Sequence, residues 1–270
     1  MRTLRDIAEL NEALDPLRAG SEVALVPTMG ALHEGHHALI QAAREECDVV
    51  VASLFVNPTQ FAPGEDFRRY PRDEAHDARL ADEWGVDLLF VPAEEELYPA
   101  GFQTWVEVSE LARPLEGEAR PGHFRGVATV CLKLFNVVRP RRSYFGQKDA
   151  QQAAIVERMV RDLNVPVEIR VVPTVRDGDG VALSSRNAYL STEERAAVRA
   201  VPRALAAGAT AHRLGGDAVT AARDVLAEES LLVPEYVEVA RLNGRTYLLT
   251  AVRTGGTRLI DNVILEGEPA

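Results

Sequence analysis

Through the first two-thirds of the chain, short unbroken apolar runs rich in β-branched residues recur between helix-patterned stretches. This alternation restricts the fold more than any other feature. Residues 23–26 form one run, ending at Pro27, and residues 49–56 form a longer one. A helical pattern over 72–84, stopped by Gly85, leads to a third at 87–91. An apolar helix over about 126–138 precedes a strand at 143–145, and a helix over 149–163 precedes one at 167–172. Strands that are apolar throughout, with helices between them, indicate a parallel sheet covered on both faces. Such sheets bind ligands at the carboxyl ends of their strands, where the strand order reverses.

The last third has another character. Asp177, Gly178, Asp179 and Gly180 make a turn-rich break. Ser191 with Glu194 has the form of a capping box, opening a helix expected to reach about residue 213. Gly215 and Gly216 end it, and a second helix is expected to about residue 229. Strand candidates at 236–241, 246–253 and 257–264 are separated by Asn243-Gly244 and Gly255-Gly256, which suggests an antiparallel sheet. The expected organisation is α/β. A parallel-sheet domain over residues 1–174 is followed by a smaller C-terminal α+β domain over 175–270.

Composition removes several functional classes. Among 270 residues, 41 acidic side chains outweigh 30 basic ones, giving a formal charge of -11. Binding a long nucleic acid relies on neutralising many phosphates, so no such partner is expected, although a local pocket for a small phosphate ligand remains compatible. Only Lys133 and Lys148 are lysine; the other basic residues are arginine. Cys47 and Cys131 are too few for a disulfide scaffold and are not spaced as a metal knuckle. The first residues lead into a charged helical pattern rather than a signal peptide, and no stretch has the length of a membrane span. A soluble cytoplasmic protein is expected.

The densest cluster of chemically capable residues follows the first apolar run. His33, Glu34, Gly35, His36 and His37 fit H-E-x-x-H, in which His33 and His37 would bind zinc with Glu34 as general base. The setting opposes this, because a strand ends only a few residues earlier and Gly35 interrupts the motif. The competing pattern is H-x-G-H, His33 to His36, at a helix entrance. Unpaired backbone N–H groups and the helix dipole attract phosphate there. Gly35 would let a ligand approach the backbone, and two imidazoles can donate to phosphoryl oxygens. His37 is expected to be structural.

Further segments share the pattern's order. Asn57 and Gln60 end the second long strand, and Tyr70, Pro71 and Arg72 follow. Pro121, Gly122, His123, Phe124, Arg125, Gly126 and Val127 precede the apolar helix. Gly146, Gln147, Lys148 and Asp149 join a strand to a helix that begins with Gln151 and Gln152. Leu183, Ser184, Ser185, Arg186 and Asn187 lie past the break. In order and spacing these segments resemble the pantothenate synthetase family, the pantoate–β-alanine ligases of the nucleotidylyltransferase superfamily, over about residues 23–262.

The resemblance implies a Rossmann-type ATP-binding domain, a smaller lid domain and a homodimer. It implies a reaction in which ATP, (R)-pantoate and β-alanine give pantothenate, AMP and pyrophosphate, with Mg²⁺, through pantoyl adenylate. Met29, Gly30, Ala31, Leu32, His33, Glu34, Gly35 and His36 match the family's nucleotide-binding segment, with His36 in the place of the catalytic acid. His33 and His36 are read as phosphate-stabilising donors. Gly146, Gln147, Lys148 and Asp149 match a second ATP segment, in which Lys148 supplies a mobile point charge and Asp149 accepts from ribose. Val175 matches an adenine-side contact. Leu183, Ser184, Ser185 and Arg186 match the lid motif that closes on the triphosphate. Gln60 and Gln152 match pantoate-holding amides, with Gln60 also near β-alanine; an amide both donates and accepts.

Asp66, Asp73 and Asp77 could approach Mg²⁺, and the sequence does not select among them. Arg139, Arg141 and Arg142 read as a solvated turn, and His76 and His212 as surface residues. Three positions depart from the family pattern. Gln147 stands where a glutamate is usual, Ala150 where an aromatic is common, and His37 where a leucine often follows.

Overall fold

The structure is a computed structural model that describes residues 1–267. The chain divides into two compact units. The first comprises Met1–Phe145 with Gln151–Val172, and the second Gly146–Ala150 with the chain from Pro173.

The first unit carries six parallel strands: β1 (Arg2–Leu4), β2 (Val23–Thr28), β3 (Val49–Leu54), β4 (Leu88–Phe90), β5 (Arg142–Gly146) and β6 (Glu168–Val172). Between them run α1 (Ile7–Arg18), α2 (Glu34–Glu46), α3 (Glu74–Glu83), the single turns α4 (Glu94–Leu97) and α5 (Glu116–Ala119), α6 (His123–Val138) and α7 (Ala150–Asp162). The spatial order is β1-β4-β3-β2-β5-β6. The order therefore reverses at β2, with β3 on one side and β5 on the other.

Burial on both faces explains the continuous apolar runs. All six residues of β3 are buried, and their side chains alternate between two cores. Val49 and Val51 join Val23, Leu25 and Phe90 in a cluster with Leu10 and Leu14 of α1, Phe135 of α6 and Met159 of α7. Val50 and Ala52 join Ala24, Val26 and Leu89 with Ile40 and Ala43 of α2 and Ala81 of α3. The sheet is covered on both faces, as the alternation predicts, and the arrangement is the Rossmann-like α/β one that the family resemblance implies.

Two local differences have physical causes. A strand precedes the N-terminal helical pattern: β1 pairs with β4, Arg2 opposite Leu88 and Leu4 opposite Phe90. Three residues carry no readable period, and the open edge of β4 makes them a strand. The helix expected from Ser191 to about residue 213 is two helices, α8 (Thr192–Ala197) and α9 (Ala200–Arg213). A proline ring clashes with the carbonyl four residues back, so Pro202 stops the first helix at Val198.

The capping box itself forms. Glu194 N donates to Ser191 Oγ at 3.2 Å, and Ser191 N donates to the Glu194 carboxylate at 2.8 Å. After α10 (Ala218–Ala227), strands β7 (Val233–Leu242), β8 (Arg245–Thr254) and β9 (Thr257–Glu266) form an antiparallel sheet in that order. Asn243 and Gly244 both have positive φ, as the tight turn between β7 and β8 requires. Leu205, Ala222, Leu248 and Val252 pack in this unit's core. Among the described residues no helix is long and apolar enough to cross a membrane.

Trp84 and Trp105, the two tryptophans of the chain, lie in the first unit, so tryptophan fluorescence follows its unfolding. Leu25 in β2 is fully buried, whereas Leu163 is 51% exposed. Leu25→Ala should lower stability by about 2–5 kcal/mol in urea titrations read this way. Leu163→Ala should change it by less than about 0.5 kcal/mol.

Candidate active site

At the carboxyl end of β2 the chain passes through Met29–Leu32 into α2, and His33 is the N-cap of that helix. The ring turns back over the helix start, where Gly35 N donates to His33 Nδ1 at 3.1 Å. Reciprocally, His33 N donates to His36 Nδ1 at 3.2 Å. The two imidazoles thus build a capping box of the kind usually made by a hydroxyl and a carboxylate. Backbone N–H groups only donate, so both Nδ1 atoms are acceptors, and each neutral ring carries its proton on Nε2. The ring centroids are 4.2 Å apart.

Gly35 is required by packing alone: a Cβ there would lie 2.8 Å from His33 Cε1. His37 stacks on Trp84 at 4.9 Å and meets the Glu34 carboxylate at 3.0 Å. His33 is therefore the cap of α2 rather than a residue one turn before His37 inside it, which disposes of the zinc-helix pattern.

Asp77 of α3, 2% exposed, fixes the loop before the cap. Its Oδ2 accepts from Ala31 N at 2.9 Å and its Oδ1 from Leu32 N at 2.8 Å. Gly30 N donates to Thr28 Oγ1, which in turn donates to Ser53 O at 2.6 Å. Gly30 has φ +84, and a Cβ on it would stand 2.8 Å from Asp77 Oδ2. Of the three aspartates considered for Mg²⁺, Asp77 is committed to these amides, and Asp73 caps α3 by accepting from His76 N at 3.0 Å. Asp66 opens a 3-10 turn over Asp66–Arg68. Among the described residues no group of three or more His, Cys, Asp or Glu side chains could hold a metal ion.

Asn57 and Gln60 lie in the segment after β3, both buried. Asn57 Nδ2 donates to Gln60 Oε1 at 3.1 Å and to Gly126 O at 3.2 Å. Its Oδ1 accepts from Thr59 Oγ1 at 2.8 Å. Gln60 Nε2 approaches Met29 Sδ at 2.9 Å, which joins this segment to the loop after β2. Gln152 is half-buried in the first turn of α7. Its neighbour Gln151 is occupied structurally, donating to Leu111 O and Pro114 O at 2.8 Å and accepting from Glu116 N.

The main chain of Gln60 is held by residues that sequence reasoning gave no role. His123 Nδ1 lies 2.8 Å from Gln60 O, and Arg120 Nη1 lies 3.2 Å from His123 Nε2. A carbonyl only accepts and a guanidinium only donates, so His123 is neutral with its proton on Nδ1. Arg120 also grips both carboxylate oxygens of Glu65, at 2.9 and 2.7 Å. Burial and the adjacent Arg120 charge lower the His123 pKa from 6.5 to about 4. Burial works to raise the Glu65 carboxyl, but Arg120 outweighs it and holds the group below its ordinary value.

The remaining expected residues belong to the second unit. Gln147–Asp149 form a 3-10 turn after Gly146, and Lys148 Nζ lies 3.8 Å from Asp149 Oδ1. Asn262 of β9 donates through Nδ2 to Gln147 O and Lys148 O, both at 2.9 Å. Its Oδ1 accepts from Gln147 Nε2 at 3.3 Å, a bond that the usual glutamate could not donate. Leu183 N donates to Val175 O at 3.0 Å. Ser184 caps the 3-10 turn Ser185–Tyr189, its Oγ accepting from Arg186 N at 3.3 Å.

An open parallel sheet whose order reverses at a strand leading into a helix start defines a nucleotide-binding α/β protein, and the paired imidazoles suit phosphate chemistry. The sequence profile of the Pantoate-beta-alanine ligase family matches residues 2–264. The pantothenate synthetase of Chloroflexus aurantiacus is 53% identical over 283 aligned residues, spanning 99% of this chain and 99% of its own. That of Moorella thermoacetica is 50% identical over 98% of this chain and 99% of its own.

Among solved structures, pantothenate synthetase from Thermus thermophilus superposes with a TM-score of 0.94 and 47% identity, covering 99% of this chain and 100% of its own. Pantoate-beta-alanine ligase from Francisella tularensis, complexed with beta-gamma ATP and beta-alanine, gives 0.84 and 34% over 100% of both chains. The chain belongs to the pantoate–β-alanine ligase family.

The depressed His123 pKa carries a sign that can be tested. The unfolded ring takes up a proton below its ordinary 6.5, while the folded ring stays neutral until about 4. Its contribution is therefore complete above 6.5 and lost as pH falls towards 4. The loss should amount to about 3 kcal/mol across that window. His123→Asn should flatten this part of the pH–stability curve measured by urea titration; an unchanged slope would remove His123 as its source.

Proposed function

We propose that the protein ligates (R)-pantoate to β-alanine at the expense of ATP, releasing AMP and pyrophosphate. The observation that carries this reading is the His33–His36 capping box at the start of α2, with both protons on Nε2, in a chain of this family. A carboxylate is a poor acyl donor, so its oxygen first attacks the α-phosphorus of ATP, breaking the bond to pyrophosphate and forming pantoyl adenylate. The amine of β-alanine then attacks the acyl carbon, the amide forms, and AMP leaves.

Charge that builds on the phosphoryl oxygens in the first step is met by donors that are already oriented, so little reorganisation is needed as the barrier is crossed. By the family resemblance Met29–His36 bind ATP, with His33 and His36 donating to phosphate. Gln60 and Gln152 hold pantoate, and Gln60 also serves β-alanine. The family resemblance also assigns Gly146–Asp149 to ATP, with Lys148 on the phosphates and Asp149 on ribose, together with Val175 and Leu183–Arg186. Mg²⁺ enters as the ATP complex, for which phosphate oxygens are natural ligands. Asp73 and Asp77 are committed to main-chain amides. The family resemblance further implies a homodimer working in the cytoplasm.

Omitting substrates one at a time, with the products identified, tests the reaction. AMP and pyrophosphate should form only when pantoate is present, and pantothenate only after β-alanine is added. ADP and phosphate as products would overturn the reading. A product that keeps its nucleotide in the presence of β-alanine would indicate a related nucleotidylyltransferase instead. ATP binding without pantoate-dependent pyrophosphate release would indicate a non-catalytic module.

His36→Ala removes one of the oriented donors. Adenylate formation, followed as pantoate-dependent pyrophosphate release, should slow about 100- to 1000-fold. Circular dichroism should stay native. A near-normal rate would take His36 out of this role.

A further inference from the structure

Two adjacent polar residues in β9, Asp261 and Asn262, are 4% and 2% exposed. Buried polar side chains are retained at a cost unless every group finds a partner. Both residues find theirs in segments that lie far away in sequence. Asn262 uses its whole amide on the turn after β5: Nδ2 on the Gln147 and Lys148 carbonyls, Oδ1 on Gln147 Nε2. Asp261 takes Arg176 bidentately, at 2.6 and 3.0 Å, while accepting from Asn262 N at 2.8 Å. Arg176 in turn donates to Gly180 O at 3.0 Å. It also bridges to Ala182 across the turn that leads into Leu183–Arg186.

One dipeptide thus ties down the turn carrying Lys148 and the hairpin following Val175. We propose that Asn262, supported by Asp261, is a positioning residue for ATP. It fixes the backbone from which Lys148 reaches the phosphates and couples it to the strand edge that anchors Arg176. This rests on the assignment of Lys148 to ATP in the proposed function. Asn262 touches no reacting atom in this scheme; its effect passes through Lys148. Lysine is a flexible stem ending in a point charge. Its reach is useful only if its own main chain is fixed, and the two hydrogen bonds that Asn262 Nδ2 donates to the carbonyls of residues 147 and 148 do this.

Calorimetric titration of ATP into the full-length chain and its variants, with steady-state kinetics alongside, tests the proposal. Asn262→Ala should weaken ATP binding and raise the KM for ATP about tenfold, a change expected when two positioning hydrogen bonds are lost. The KM for pantoate should stay within about twofold, because Lys148 is assigned to ATP and not to pantoate, and so should β-alanine turnover of supplied pantoyl adenylate, which no longer carries the pyrophosphate. In a Lys148→Ala background the same substitution should cost less than about twofold, since the lysine it positions is gone.

A purely structural role would add its full penalty in both backgrounds, and that result overturns the proposal. So does an ATP affinity equal to wild type. Should Asn262→Ala fail to fold, Asn262→Ser, too short to reach both carbonyls, gives the same comparison. Calorimetry reads ATP binding without pantoate turnover. A wild-type chain that binds ATP through Lys148 and Asn262 but makes no pantothenate would overturn the ligase reading and leave the positioning role standing.

Discussion

A carboxylate with 2% of its surface exposed is tolerated inside a protein only where donors meet its oxygens, and Asp77 meets that demand with the consecutive amides of Ala31 and Leu32. The arrangement works in both directions. The loop needs an acceptor because Gly30 and Ala31 have φ of +84 and +51, a region that L side chains enter at a cost. The carboxylate needs the loop because its two oxygens are met by main-chain amides rather than by an arginine or lysine. Everything downstream follows from where this loop leaves the chain: His33 as cap, its ring folded over Gly35, and His36 returning the bond. The geometry of two imidazoles at a helix start is thus set from a different helix, α3.

Charge elsewhere is arranged by a similar economy. The chain is acidic overall, with arginine as nearly all of its positive charge. Arg120 on Glu65 and Arg176 on Asp261 act as planar forks that tie down neighbouring backbone. Lys148 has the opposite character, a mobile point charge on a fixed main chain. Three histidines divide by tautomer as well. His33 and His36 accept on Nδ1 from backbone, whereas His123 places its proton there for Gln60 O. Which partner sits on Nδ1 decides what each ring can do.

Much of this was legible in the sequence because it rests on local patterns. Continuous apolar runs marked β2 and β3, the Ser191–Glu194 box marked a helix start, and Asn243-Gly244 marked a hairpin. Histidines beside glycine marked the entrance to α2. What the sequence did not reveal depends on partners remote in the chain. Asp77 sits in a helix whose visible pattern is that of a solvated surface, and nothing nearby indicates that its carboxylate meets residues 31 and 32. β1 exists because β4 offers an edge. Asn262 had one available signal, two consecutive polar residues interrupting the apolar run over 259–265. A position buried against water yet polar is worth pursuing wherever such a break in alternation occurs.

The turn at Gly146–Ala150 has a consequence for how this chain can be divided. By sequence it joins β5 to α7, both built into the first unit, yet its hydrogen bonds belong to β9 in the second. The polypeptide therefore passes between units three times rather than once. A fragment starting after Val172 would carry Asn262 with its amide groups facing an empty place, and a fragment ending there would present the lysine turn without its anchor. Recombination or fusion at the apparent boundary would separate groups that were matched to each other. The two units are distinct in packing but not as heritable modules, and any exchange of the C-terminal part has to bring with it five residues encoded upstream.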